Sequence, residues 1–109
     1  MHPPLPKYLL LVPLQYNNGQ PVPESVILDF QENLFSLGGG FTIAGTVKGA
    51  YKMADGTRQM DDSLQLWIGI PDDLYPELEW LVGELGTALG QETMYLEKTG
   101  GTIHFIPAR

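Results

Sequence analysis

From Lys7 to Gln15 both alternating sets of positions are apolar: Tyr8, Leu10, Val12 and Leu14 on one side, Leu9, Leu11 and Pro13 on the other. That pattern predicts a strand covered on both faces. YNNGQPVPE follows as a turn-rich connection, because Asn17, Asn18 and Gly19 tolerate positive φ and Pro21 and Pro23 stop strand pairing. Ile27, Phe30, Leu34 and Leu37 then recur at spacings of three and four, which predicts a helix over 24–37 ended by Gly38, Gly39 and Gly40. Asp29, Glu32 and Asn33 fall off the apolar stripe, toward solvent.

The next stretch reads as a hairpin turning at Asp55-Gly56. A two-residue turn pairs Ala54 with Thr57, and carries Val47 opposite Leu64, Gly45 opposite Leu66, Ile43 opposite Ile68 and Phe41 opposite Ile70. The pairs from Val47/Leu64 to Phe41/Ile70 are all apolar or Gly, and a slip of one residue would mix the faces. The other face carries Thr42, Ala44, Thr46, Lys48 and Lys52 against Gln65, Trp67 and Gly69. Asp72 and Asp73 offer N-caps to a second helix with Leu74, Leu78, Leu81, Leu85 and Ala88 on its apolar stripe, Pro76 in its first turn and Gly90 closing it. Gly83, Gly86 and Gly90 lie opposite that stripe, either as a weakened exposed surface or as room for a neighbouring chain. TMYLEK, TGG and TIHFIP make a closing hairpin, or a strand with an extension.

The resulting order, β-α-β-β-α-β with a further C-terminal strand, is the α+β, ferredoxin-like split βαβ arrangement, an antiparallel sheet with two helices on one face. At 109 residues it is one domain, 7–109, preceded by an extended Pro-rich arm over 1–6. The helices leave one sheet face bare, yet the first strand is apolar on both sides and Trp67 stands on a neighbouring strand. Hiding about 400 Å² of such surface is worth roughly 10 kcal/mol before association costs, which predicts a face-to-face dimer unless the N-terminal arm or final strand covers the patch.

Composition narrows the chemistry. With no cysteine there is no disulfide, thiolate nucleophile, zinc-thiolate site or iron–sulfur cluster. A net charge of −7 repels phosphate backbones and argues against nucleic-acid binding. The run Tyr8 to Leu14 is too short to span a bilayer, and MHPPLPKYLLLVPL lacks a basic start and a cleavage site, so a soluble, cytoplasmic protein is expected. His104 and His2 are the only histidines, too few for a transition-metal site without several carboxylates, and no phosphate-binding glycine motif or nucleophile elbow is present. No metal or cofactor is expected.

The candidate chemistry gathers in GQETMYLEKTGGTIHF, residues 90–105. A turn at Gly100-Gly101 sets Glu97 opposite His104, either a general base with its orienting carboxylate or an ordinary cross-strand pair; a four-residue loop sets Tyr95 there instead. Gln91 and Glu92 sit where a helix end meets the sheet. Gln91 suits the orphan carbonyls there, whereas Glu92 gains little beside the partial negative charge of a helix C-terminus, a local conflict that marks it for function. Glu92 and His104 are therefore the candidate acid/base residues, and Gln91, Glu92, Tyr95 and Trp67 the candidate binding residues.

ADG at 54–56, Ser63 ahead of an apolar strand ending at Pro71, and GQETMYLE at 90–97 resemble a small bacterial family of domains carrying an ADG turn and a GQES-type motif; Thr93 here replaces the serine and keeps the hydroxyl. The resemblance implies the ferredoxin-like fold over residues 8–106 and no established activity. The whole favours a non-catalytic ligand-binding or interaction domain that dimerises through its open sheet face. The alternative is a small cofactor-free enzyme using Glu92 or His104.

Overall fold

The structure, a computed structural model, describes residues 4–52, 54–104 and 107. The elements are β1 (Leu5–Pro13), α1 (Glu24–Leu37), β2 (Gly40–Lys52), β3 (Arg58–Gly69), a 3-10 turn (Asp72–Leu74), α2 (Tyr75–Ala88) and β4 (Tyr95–Ile103). The sheet order is β2-β3-β1-β4, with every neighbouring pair antiparallel. This is the ferredoxin-like split βαβ, with β3 inserted between β1 and β2. Of the arm expected over 1–6, residues 1–3 lie outside the described residues, and Leu5 and Pro6 already pair with Ile103 and Thr102.

The helices cover the face to which Tyr8, Leu10 and Val12 of β1 and Leu66 and Ile68 of β3 point, and these pack with Ile70, Phe30, Leu34, Leu78, Val82, Leu85 and Leu89 into one buried core. α1 occupies the expected residues and ends at Gly38, whose φ of 98° puts it in the left-handed region that glycine adopts at low cost. In α2 the buried stripe is Leu78, Val82, Leu85 and Leu89, so Ala88 faces outward. Gly86 is the glycine under close approach, and what approaches is the chain's own Met94; Gly83 and Gly90 have open space around them.

Several local expectations are corrected. The connection after β1 folds back on itself: Gln15 bridges Pro21, and the Val22 N–H donates to the Leu14 carbonyl, so Pro21 does not end the pairing. The β2–β3 ladder closes at Lys52↔Arg58, not Ala54↔Thr57. A two-residue type I′ turn needs positive φ at both central residues, and of Asp55 and Gly56 only Gly56 has it. Asp55 instead accepts from the Thr57 N–H at 2.9 Å and the Thr57 hydroxyl at 2.6 Å, an Asx-type turn that spreads the loop.

A bulge between Ile43 and Gly45 adds a second register shift, with Gly45 at φ 116°. Phe41 thus faces Ile68 and Ile43 faces Leu66, but beyond the bulge Thr46 opposes Leu64 and Val47 opposes Ser63. The bulge moves Val47 to the open face and puts Thr46 and Lys48 on the helix side, the reverse of strict alternation. β2 and β3 continue past the last β1 pair, Pro13↔Ser63, as a two-stranded arm of residues 48–52 and 58–62, and the molecule measures 53 × 25 × 25 Å.

At the other edge β4 runs straight through Gly100 and Gly101, neither of which has positive φ, so the closing turn and the Glu97–His104 pairing do not form. The ladder with β1 absorbs the glycines as an irregularity between the Tyr8↔Lys98 and Pro6↔Thr102 pairs, where the Thr99 hydroxyl donates to the Lys7 carbonyl at 3.2 Å. Of the further strand expected beyond it, Phe105 and Ile106 lie outside the described residues.

Charge follows the layers. The helices and the 3-10 turn carry Glu24, Asp29, Glu32, Asp72, Asp73, Glu77, Glu79 and Glu84 and no basic residue, while Lys7, Lys48, Lys52, Arg58 and Lys98 all lie on strands.

Candidate functional site

The open face of the sheet is ordered in rows by strand register. One row runs Thr42, Trp67, Leu9, Glu97, and the next runs Gly45, Gln65, Leu11, Tyr95. Trp67 and Tyr95 therefore rise from β3 and β4 on either side of the apolar Leu9 and Leu11, roughly 12 Å apart on the diagonal of two strand spacings and a two-residue rise. Trp67 is 40% and Tyr95 52% exposed, whereas Leu9 and Leu11 between them are half-buried. The Lys7 ammonium sits 4.0 Å from the Trp67 ring centroid, a cation–π contact that shields part of the indole. The Tyr95 hydroxyl donates to the Glu97 Oε1 at 2.6 Å, a short charge-assisted bond that orients the carboxylate.

Gln91 and Glu92 follow α2 as expected, but only Gln91 is built in. Its N–H donates to the Gly86 carbonyl at 2.9 Å and its side-chain amide to Asn17 Oδ1 at 3.1 Å, while Asn17 Nδ2 donates to the Gly90 carbonyl at 3.1 Å. The helix-end carbonyls of Leu85, Gly86 and Thr87 are thus met by the backbone N–H groups of Leu89, Gln91 and Gly90, while the Gln91 side chain holds Asn17 against the loop just past the helix. Gln91 also lines a polar cavity of about 520 Å³ with Gln15, Asn17, Gln59 and Asp61. Glu92 is exposed and outside this cavity. His104, also exposed, follows the last residue of β4, and the nine-residue strand holds it on the order of 25 Å from Glu92 at ~3.3 Å per residue. The two candidate acid/base residues do not share a site.

A cluster that sequence reasoning missed lies on the helix side. Tyr8, almost fully buried, donates its hydroxyl to Asp72 Oδ1 at 3.2 Å, and Lys98 donates to the same oxygen at 2.9 Å. Tyr75 stacks on Tyr8 with ring centroids 5.5 Å apart and planes inclined by 29°. With Leu96 these residues line a cavity of about 400 Å³. The Lys98 hydrogen bond, helped by Tyr8, holds the Asp72 carboxyl below its ordinary range, and the same bond raises Lys98. Burial raises the Tyr8 hydroxyl, with its bond to Asp72 adding to the effect, and burial also raises Tyr75. Asp72 read as a helix cap in the sequence, but α2 starts at Tyr75 without a side-chain cap, and Asp72 instead serves Tyr8 and Lys98.

Among the described residues no three His, Asp or Glu side chains converge as a metal site, and no helix is long and apolar enough to cross a membrane. No family model and no curated protein sequence matches the chain. Among solved structures it is similar to a phage SAM lyase in complex with S-methyl-5'-thioadenosine, with a TM-score of 0.61 and 18% identity over 88% of this chain and 82% of that one. At that identity the likeness establishes a shared fold.

Proposed function

We propose that this chain is a small-molecule-binding domain that dimerises through its open sheet face, with a ligand of the class of S-adenosylmethionine and S-methyl-5'-thioadenosine. The observation that carries the reading is the open face, where exposed Trp67 and Tyr95 flank Leu9 and Leu11 on the central strands. Covering such a patch with a second copy removes apolar area worth roughly 25 cal/mol per Å². The fold-length likeness to the lyase suggests the ligand class. The chemistry of the face is compatible with a ligand enclosed between the two copies: two aromatic rings offer surfaces for a purine, Glu97 can accept from ribose hydroxyls, and a chain of net charge −7 attracts a sulfonium cation.

The same likeness favours a second, catalytic reading. Cleavage of a carbon–sulfur bond in S-adenosylmethionine sends the bonding pair to the positive sulfur and releases neutral S-methyl-5'-thioadenosine, while a base takes a proton from the neighbouring carbon of the departing fragment, whose C–H pair becomes its new carbon–carbon double bond. Glu97, oriented by Tyr95, is the carboxylate beside the aromatic face; Glu92 and His104 would each have to act alone.

Sedimentation velocity and titration calorimetry with S-methyl-5'-thioadenosine test the first reading. The expected result is a dimer that binds the nucleoside, with Trp67→Ala weakening both by about tenfold or more. A chain that stays monomeric at high micromolar concentration and ignores the nucleoside refutes it. Chromatography of S-adenosylmethionine incubated with the protein tests the second: release of the thioether, lost in Glu97→Gln, supports a lyase, and an intact substrate removes it.

A further inference from the structure

The 400 Å³ cavity beside α2 carries one carboxylate, one ammonium, two aromatic rings and a leucine on its walls. Its charges cancel, so a phosphate ester or a polyamine would leave one of them without compensation. A ligand bearing both signs would match both. Asp72 Oδ1 and Lys98 Nζ are 2.9 Å apart, and the ammonium and carboxylate of an α-amino acid, separated by a single carbon, present a pair of comparable span.

Neither existing bond needs to break. Both donors to Asp72 meet at Oδ1, and among the described residues none reaches Oδ2, which can accept a ligand ammonium. Lys98 has three donors and spends one on Asp72, leaving others for a ligand carboxylate. The two side chains are 64% and 56% exposed, so a ligand reaches them from solvent without prying open the core. The Tyr8 hydroxyl, fixed from beneath by the burial of its ring, holds the Asp72 carboxylate in place. Half-buried Tyr75, stacked on the buried Tyr8 ring, and half-buried Leu96 supply an apolar wall for a side chain.

We propose that the cavity formed by Tyr8, Asp72, Tyr75, Leu96 and Lys98 binds a free α-amino acid with a large apolar side chain, at a site separate from the open sheet face. Tyr8, Leu96 and Lys98 point to the helix side of the sheet, and Leu9, Tyr95 and Glu97 to the other, so one small ligand cannot span the two.

Calorimetric titration of the whole chain with L-leucine, L-methionine and L-phenylalanine tests this, with L-leucinamide and isocaproate as analogues lacking one charge each. At least one of the three amino acids is expected to bind with a submillimolar Kd, and each analogue about tenfold or more weaker than L-leucine. Lys98→Met and Asp72→Asn, the latter keeping an oxygen for Tyr8, are each expected to weaken binding by about tenfold while the circular dichroism spectrum stays unchanged. No binding by any of the three up to about 10 mM, or equal binding of the analogues, overturns the proposal. S-methyl-5'-thioadenosine has no amino-acid group, so its binding reports on the open face alone. Competition between it and L-leucine would overturn the assignment of a separate site.

Discussion

Gly83 and Gly86 stand three residues apart in α2 and differ in what surrounds them, which turns a pair of alanine substitutions into a measurement of packing. A Cβ added at Gly83 meets nothing within 4 Å, and the residue is exposed. Gly83→Ala is expected to stabilise by about 1 kcal/mol through helix propensity and reduced freedom of the unfolded chain, raising Tm by about 4–8 °C. At Gly86 the new Cβ would lie 2.9 Å from Met94 Cγ and 3.6 Å from its sulfur. The same gain is then opposed by overpacking of about 1–3 kcal/mol, softened because methionine can change rotamer, so the net effect falls between neutrality and a loss of about 2 kcal/mol. Adding Met94→Ala should recover part of the difference. Urea titrations with a shared m-value give each number. Gly86→Ala as stabilising as Gly83→Ala would refute the packing assignment, and a Gly83→Ala variant that dissociates a wild-type oligomer would show that a second chain rests on Gly83.

The remaining predictions concern charge and backbone. The depressed Asp72 carboxyl contributes stability present above its unfolded value near ~4 and lost as pH falls through the folded value, while the raised Lys98 contributes stability present below its unfolded value near ~10.4 and lost as pH rises through the folded value. Lys98→Met should therefore flatten both the acid and the alkaline limb of a urea-midpoint profile, and an unchanged profile contradicts the pairing. Gly38→Ala, at φ 98° with nothing around it, should cost about 1–2 kcal/mol in the same assay, whereas Gly40→Ala, equally open but without positive φ, should not.

The helices and the succession of elements were legible because they rest on periodicity: the stripe from Ile27 to Leu37 delimits α1 and alternation puts Trp67 opposite the core face. Register was not, because it depends on single residues whose effect is conformational. Asp55-Gly56 predicts a tight turn only if Asp55 adopts positive φ, and its hydrogen bonds with Thr57 favour another geometry. The Gly100-Gly101 pair had the composition of a turn, but the edge of β1 at Leu5 and Pro6 offers a longer ladder. The Asp72 cluster was hidden because Tyr8 read as core and Asp72 as a cap. The available signal was Lys98, a charged residue at the same inward parity as Leu96, which needs a partner on the helix layer.

The separation of charge between layers bears on how copies of this molecule collide. Two helical walls brought together set carboxylate against carboxylate around exposed Trp80 and Phe35, so at low salt those rings are kept from meeting. The open sheet face carries Lys7 against Glu97 and Asp61, so an encounter that turns sheet to sheet meets little net charge. Since the Debye length shrinks from about 10 Å at 0.1 M salt to about 3 Å at 1 M, concentrated salt would release the helical aromatics from this guard and add a sticky, disordered mode of aggregation to an otherwise directed one.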